Sequence, residues 1–303
     1  MLNYHGNYCN PLDLNGKLVP CLQYADDIVL LSESAQGLQN LLNKLKICDK
    51  WNLHVNINKS KVMIFNKSGK ILKGHNFLYD GNTVSLVNEY RCLGIIFKPS
   101  GSFTEAINQL AKKFSKAFFC IRKSLCSENM NVVLHMKLFD SCVNPILLYW
   151  SDIWAMSLIV KDGIDIETKY DSFHPNRIQI KLAKYILGVH KSAINIAVLG
   201  ELGLYPLSIQ SLKSCINYWL YLVNTQENSL VFHSYKENIL LKDSLFNKAK
   251  KFLTDIGFRH VWDNQGTLSR VTLLKSIQKK LEERYENFWN NLLSQNTSYL
   301  EEK

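Results

Sequence analysis

The residues whose types and spacing point most directly to chemistry are Asp26 and Asp27, adjacent carboxylates within Leu22-Gln-Tyr-Ala-Asp-Asp-Ile-Val-Leu-Leu31. Like charges so close repel, and a divalent cation relieves the repulsion. Hard carboxylate oxygens suit Mg²⁺, and two such ions can activate an attacking hydroxyl and stabilise a leaving oxygen in phosphoryl transfer. A site of that kind needs a further carboxylate from a neighbouring strand. A solvated Asp-Asp turn contains the same two residues, so the pair has to be weighed with its surroundings.

Two basic segments accompany it. Lys59 and Lys61 lie in Asn58-Lys-Ser-Lys61. Further on, Lys112, Lys113, Lys116, Arg122 and Lys123 are interleaved with Phe114, Phe118, Phe119 and Ile121. A helix with lysines on one face and core aromatics on the other can follow a nucleic-acid backbone. An ordinary amphipathic helix with a solvated basic face has the same pattern. The eight histidines show no ligand spacing, and Ser141 and Cys142 are mere sequence neighbours of Asp140. Eight scattered cysteines without a C-x₂-C pair read as reduced core thiols, not as a disulfide framework or zinc knuckle.

The elements that must position these residues are mixed in the first hundred positions and helical beyond. Leu18–Gln23 and Ile28–Ser32 read as two strands joined by a tight turn at Tyr24-Ala-Asp-Asp27. Leu38, Leu41, Leu42 and Leu45 recur at helical spacing, with Ser34 as the N-cap. Leu53–Ile57 and Val62–Phe65 read as strands flanking the basic turn. A hairpin is expected at Phe77–Tyr79 and Thr83–Leu86 around Asp80-Gly81-Asn82, then one more strand over Tyr90–Phe97. From Ser102 the period lengthens, predicting helices over Phe103–Leu125, Asn131–Leu148, Phe173–Leu187, Pro206–Leu222 and Leu241–Leu253. A last helix is marked by Val271, Leu274, Ile277, Leu281, Tyr285, Phe288 and Leu292.

At 303 residues the chain has room for about two domains. It is 47% apolar, enough to build a core, which excludes a disordered tail. Its net charge of +10 is uneven. Residues 44–123 hold 15 Lys plus Arg against 4 Asp plus Glu, whereas the rest of the chain holds 21 against 22. That local excess suits a nucleic-acid or other anionic partner. The first ten residues lack an apolar run of the secretory type, and Pro145–Val160 carries Asp152 and is short for a bilayer span. The expectation is an intracellular protein of the nucleus or cytoplasm, with no membrane partner.

The flanks of the Asp pair add a resemblance. Tyr24-Ala-Asp-Asp27 resembles the Y-A-D-D motif of reverse transcriptases, those of non-LTR (LINE-type) retrotransposons in particular. Leu38–Leu42 and Trp51–Phe65 look like the helix and the N-x-x-K-[ST]-K segment that follow it. Tyr90-Arg-Cys-Leu-Gly-Ile95 is similar to the Y-x-x-L-G element of the primer grip. Pro145–Trp154 resembles the P-x-L-L-Y-G-S-E-x-W stretch, with Trp150 and Asp152 departing from it. Lys184–Val189 and Gly200–Pro206 look like later blocks, so the likeness covers most of residues 15 to 210.

The resemblance implies an α+β chain: a partial palm over 1–100, a thumb-like helical region over 101–160 and a helical C-terminal region over 161–303. It implies RNA-directed DNA polymerase chemistry with Mg²⁺, an RNA template, a DNA primer and dNTPs. Asp26 would bridge metal, and Asp27 would be a secondary or structural carboxylate. Tyr24 and Ala25 would lie near the primer end and incoming nucleotide, and Leu93 and Gly94 against the primer backbone. Lys59 or Lys61 would sit near the departing pyrophosphate, as general acid, as neutralising charge, or simply in contact with phosphate or solvent. Lys61, Lys112, Lys113, Lys116, Arg122 and Lys123 would hold nucleic acid. The family carries a fingers and palm region with another metal-binding Asp before the Y-A-D-D hairpin. Only about twenty residues precede Tyr24 here, and Asp13 is a poor substitute. The expectation is a polymerase fragment inactive by itself; the alternatives are a non-catalytic basic nucleic-acid-binding protein and a decayed retroelement relic.

Overall fold

The computed structural model describes residues 9–72, 74–125, 132–161, 165–265 and 269–301. The fold is α+β, and the chain divides into two compact units, Met1–Ala106 and Ile107–Lys303.

The first unit is built from short hairpins. β1 (Leu12–Leu14) pairs with β2 (Lys17–Val19), and β3 (Cys21–Tyr24) pairs with β4 (Asp27–Leu30), both antiparallel. α1 (Ala35–Leu45) begins at Ser34, whose hydroxyl accepts the Gly37 N–H at 3.0 Å as the expected N-cap. A tight helical turn, Lys46–Trp51, prolongs it and ends at Asn52 with φ 56°. β5 (Lys61–Val62), β6 (Phe77–Tyr79) and β7 (Asn82–Leu86) form a sheet in the order β5–β7–β6, parallel on one side of β7 and antiparallel on the other. β8 (Tyr90–Cys92) and β9 (Ile95–Phe97) form the last hairpin. Leu42, Leu45 and Cys48 bury against Val62, Phe77, Tyr79 and Val84 to make the core.

Four expectations change here: Leu18–Gln23 is divided at Pro20, which has no N–H for a ladder, between β2 and β3, and of Val62–Phe65 only Val62 pairs, within β5. Leu53–Ile57 is not a strand: the left-handed Asn52 turns the chain out of line, and Val55 and Ile57 pack singly on the core without a ladder. Tyr90–Phe97 is two strands, because Leu93 and Gly94 both take positive φ (46° and 81°) and reverse the chain.

The second unit is helical. α2 (Thr104–Leu125) leads into it. α3 (Val132–Leu138) and α4 (Asn144–Leu148) are separated by a π-helical turn, Phe139–Val143, where one continuous helix was expected. Pro145 is the physical cause: it lacks an N–H and crowds the preceding turn, so the ladder widens ahead of it. α5 (Ser151–Ile159), α6 (Thr168–Ser172), α7 (His174–Ile186), α8 (Asn195–Glu201) and α9 (Leu207–Val223) follow. α10 (Leu230–Leu240), α11 (Leu245–Asp255), α12 (Arg259–Asp263) and α13 (Arg270–Glu301) complete the order. α5 lies along α9, burying Trp154, Ala155, Met156 and Ile159 with Leu212, Cys215, Ile216 and Trp219. The Trp219 ring stacks on Trp262 at 5.0 Å between centroids. α13 buries Leu273, Ile277, Leu281 and Tyr285, whereas Val271, which its spacing puts on that stripe, is exposed. Among the described residues no single helix is long and apolar enough to cross a membrane.

The N-terminus of α9 is capped from outside. Its N-cap position is Pro206, which has no side-chain acceptor. Two carboxamides of α7 take over: Asn176 Oδ1 accepts the Ser208 N–H at 2.9 Å and Gln179 Oε1 accepts the Leu207 N–H at 3.2 Å. Asn176 Nδ2 donates in turn to Ser208 Oγ and to the Tyr170 carbonyl, both at 3.0 Å, and Gln179 Nε2 to the Tyr205 carbonyl at 3.0 Å. Both side chains are buried, so no water replaces a lost partner. Asn176→Ala should therefore destabilise the protein by about 2–3 kcal/mol, because one buried donor and several acceptors lose their partner. The check is urea unfolding; a loss within about 0.5 kcal/mol, the range of ordinary surface changes, would show that the cap is dispensable.

Candidate nucleic-acid interface

The Tyr24–Asp27 pairing leaves Ala25 and Asp26 as a two-residue turn. Ala25 has φ 52° while Asp26 does not share that region, the signature of a II′-type turn, which normally takes Gly first. An L-residue in the left-handed region costs about 1–2 kcal/mol, so the tip is strained. Because side chains alternate along a strand, Leu22, Tyr24, Asp27 and Val29 share one face of the hairpin. All four are exposed, Tyr24 at 67%. On the other face Leu30 packs on the core. The turn thus presents Asp26 at its tip and Asp27 on an open apolar face.

The β8–β9 hairpin lies within reach of the Asp27 charge. Burial raises the pKa of the Cys92 thiol, and Asp27 raises it further. The Tyr90 phenol is raised by burial first, then by Cys92 and Asp27. Tyr90 also donates its hydroxyl to the Lys59 carbonyl at 3.4 Å. Lys59 is held in a turn built by Asn56, whose Oδ1 accepts the Lys59 N–H at 3.2 Å and whose carbonyl accepts the Ser60 N–H at 2.9 Å. The structure therefore gathers Asp27, Tyr90, Cys92 and the Lys59 turn, while Lys59 itself stays exposed. Lys61 is directed elsewhere: its ammonium reaches Ser85 Oγ on β7 at 3.5 Å. Leu93 and Gly94 form the tip of β8–β9. Asn56 and Tyr90 lie within the segments that resemble the family, and the polar spacing around Lys59 is the sequence signal for their role in its turn.

On α2, Lys112, Lys113 and Lys116 are exposed and Phe114 is buried against Phe139. Phe119 corrects the expectation of an all-core aromatic face: it is 58% exposed. Three residues on from Lys116, it lies on the basic side. The side chains of Arg122 and Lys123 fall outside the described residues.

A Mg²⁺ ion requires near-octahedral oxygen ligation, usually through carboxylates supplemented by water and substrate phosphates. Among the described residues no three His, Cys, Asp or Glu side chains converge on a metal-sized space. Asp13 is spent on its own turn, accepting the Gly16 N–H at 2.8 Å. The donors among the described residues do not fit a complete two-metal centre.

A further basic group went unnoticed in the sequence. Arg177, Lys181 and Lys184, spaced four and three residues apart on α7, line a cleft of about 430 Å³ with Lys191, Ile180, Tyr185 and Val189. Helical spacing of the three cations was the missed signal.

No family model matches the chain, and no solved structure matches it. Among curated proteins the chain is similar to an uncharacterized transposon-derived protein of Caenorhabditis elegans, 27% identical over 156 residues. The match takes in 50% of this chain and 55% of that relative, so the chain spans about half the length of the curated relative it matches. The likeness points to a transposon origin.

Two outcomes test the local geometry. Ala25→Gly should stabilise the first unit by about 1 kcal/mol in urea unfolding, since glycine relieves the left-handed strain; a destabilisation would contradict the turn type. Asp27→Asn should lower the Cys92 pKa by removing a neighbouring negative charge, leaving more thiolate at a fixed pH near 8. Alkylation of Cys92 by iodoacetamide, followed by peptide mass spectrometry, should then be faster; an unchanged rate would separate Asp27 from the β8 strand.

Proposed function

We propose that this chain is the nucleic-acid-holding portion of a non-LTR retrotransposon reverse transcriptase, a partial palm with a thumb-like helix. The observation that carries the reading is the Y-A-D-D hairpin, with Asp26 at a strained two-residue tip and Asp27 facing the Tyr90–Phe97 hairpin and the Lys59 turn. In this reading the Leu93-Gly94 tip of the first unit meets a DNA primer, and the lysine face of α2, in the second, holds nucleic-acid phosphates. The transposon-derived relative supports the origin. Polymerisation requires Mg²⁺, a dNTP pocket and a further carboxylate, and among the described residues no third His, Cys, Asp or Glu joins the Asp pair in a metal-sized group.

A second reading, a non-catalytic nucleic-acid binder, is favoured by one observation: Phe119 stands exposed beside Lys116, where a base can stack while lysines take phosphates. Both readings give binding, and only the first makes the Asp pair a relic or partner of catalysis.

The test is a primed RNA template with Mg²⁺ and dNTPs, read for both retention and extension. Tight binding without extension is expected. The triple variant Lys112→Ala, Lys113→Ala, Lys116→Ala should lower the slope of log affinity against log salt by about 2–3. Extension abolished by Asp26→Ala would show that the chain polymerises unaided; failure to bind at low salt would overturn both readings.

A further inference from the structure

The α7 cleft is lined by no residue of the hairpins or of α2, although its Tyr185 ring packs edge-on against Phe118 of α2 at 5.4 Å between centroids. Its helix turns Asn176, Gln179, Ile180, Leu182 and Ala183 inward, which leaves Arg177 and Lys181 exposed and Lys184 half-buried on the outward side. Residues at this spacing stand about 5–6 Å apart along one face. Lys184 donates to the Lys191 carbonyl at 2.8 Å, which ties the loop after α7 back onto the helix and sets Lys191 at the rim as a fourth cation. The single carboxylate at the cleft, Asp171, is engaged: its Oδ1 accepts from Asn195 Nδ2 at 3.2 Å. Among the described residues Arg177, Lys181 and Lys191 have no ion-pair partner within salt-bridge distance, and four cations face the one carboxylate of Asp171, so the cleft is net positive. The consequence is felt one turn back, where burial and then Arg177 and Lys181 hold His174 below its ordinary pKa.

We infer that this cleft is a binding site for the phosphates of a single-stranded nucleic acid. Three cations along one helix face and a fourth across the cleft match a ligand with repeated negative charge rather than a single anion. The space is that of a small-molecule cleft, too small for a duplex, and it includes the apolar walls Ile180 and Val189 and the ring of Tyr185, which suit a base and sugar. Phosphate on a strand and phosphate on a free nucleotide share this chemistry, and we assign the strand because the cations from Arg177 to Lys184 extend over nearly two helical turns, about 10 Å, with Lys191 as a further cation at the rim. The inference does not depend on Asp26 and Asp27 having any catalytic role.

The experiment uses the full chain and a fluorescein-labelled ten-nucleotide oligouridylate, followed by anisotropy across a range of salt. Arg177→Gln with Lys181→Gln should weaken binding about tenfold or more near 0.1 M salt and reduce the salt slope by about 1.4, the single-strand value for two phosphates. The same loss should appear in the Lys112, Lys113, Lys116 triple-alanine background, which separates this site from the α2 face. Both glutamines replace exposed side chains, and unchanged circular dichroism and thermal midpoint confirm folding. Cross-linking with 4-thiouridine RNA should recover peptides from residues 177–191. An unchanged affinity and slope would overturn the inference, as would cross-links confined to other segments. Uridine monophosphate displacing the oligonucleotide at equal concentration would overturn the assignment to a strand.

Discussion

The helical unit depends on a cap supplied from a distance. α9 runs through its core, yet its first turn starts at a proline that cannot satisfy the free N–H groups there. Asn176 and Gln179 do so from α7, and each carboxamide donates as well as accepts. A carboxylate at either place would accept but not donate, and would carry charge into a dry interface. With two hydrogen-bonded side chains facing α9, the rotation of α7 about its own axis is set. The outward positions then follow from helical geometry: 177, 181 and 184 must face away from the residues that make the cap. The structural requirement of one helix thus dictates the charged surface of another.

The first unit obeys a different constraint, the chemistry of its turns. Asn15-Gly16 and Asp80-Gly81 are the residue pairs that two-residue hairpins favour, and both residues of each pair take positive φ. The other two hairpins put Ala25 and Leu93 in the same backbone region, where neither is at ease. These are also the two hairpins that carry the Y-A-D-D and Y-x-x-L-G segments. Strain at such tips persists only because the pairing on either side over-determines the turn. A one-residue shift in either hairpin would turn its side chains to the opposite face, and Asp27 would lose its open aspect.

Much of this was legible from periodicity and cap chemistry. Ser34 begins α1 as its type and place suggest, and the apolar spacing in α2, α7, α9 and α13 located those helices closely. What escaped notice depends on contacts distant in sequence. Val55 and Ile57 alternate like a strand but find no partner ladder. Phe119 has the character of a core residue, and only the packing of its neighbours shows that it is left outside. Charge counted over long segments concealed the α7 cations, because acidic residues elsewhere in the sequence cancel them in the sum, whereas of those carboxylates Asp171 alone lines the cleft. Trp150 is instructive in the other direction. It occupies the Gly position of the P-x-L-L-Y-G pattern and has φ 57°, so the backbone conformation that glycine suits survives without glycine.

The local character of the strand pairing has a kinetic consequence. β1–β2, β3–β4, β6–β7 and β8–β9 each join across two residues, so their contact order is very low. Such hairpins close within about 1–10 μs. The parallel pairing of β5 with β7, which joins Lys61 to Ser85, must wait for a longer loop to close. The acidic tip can therefore be formed before the β5–β7–β6 sheet exists, and the β3–β4 and β6–β7 hairpins can dock onto α1 as finished pieces.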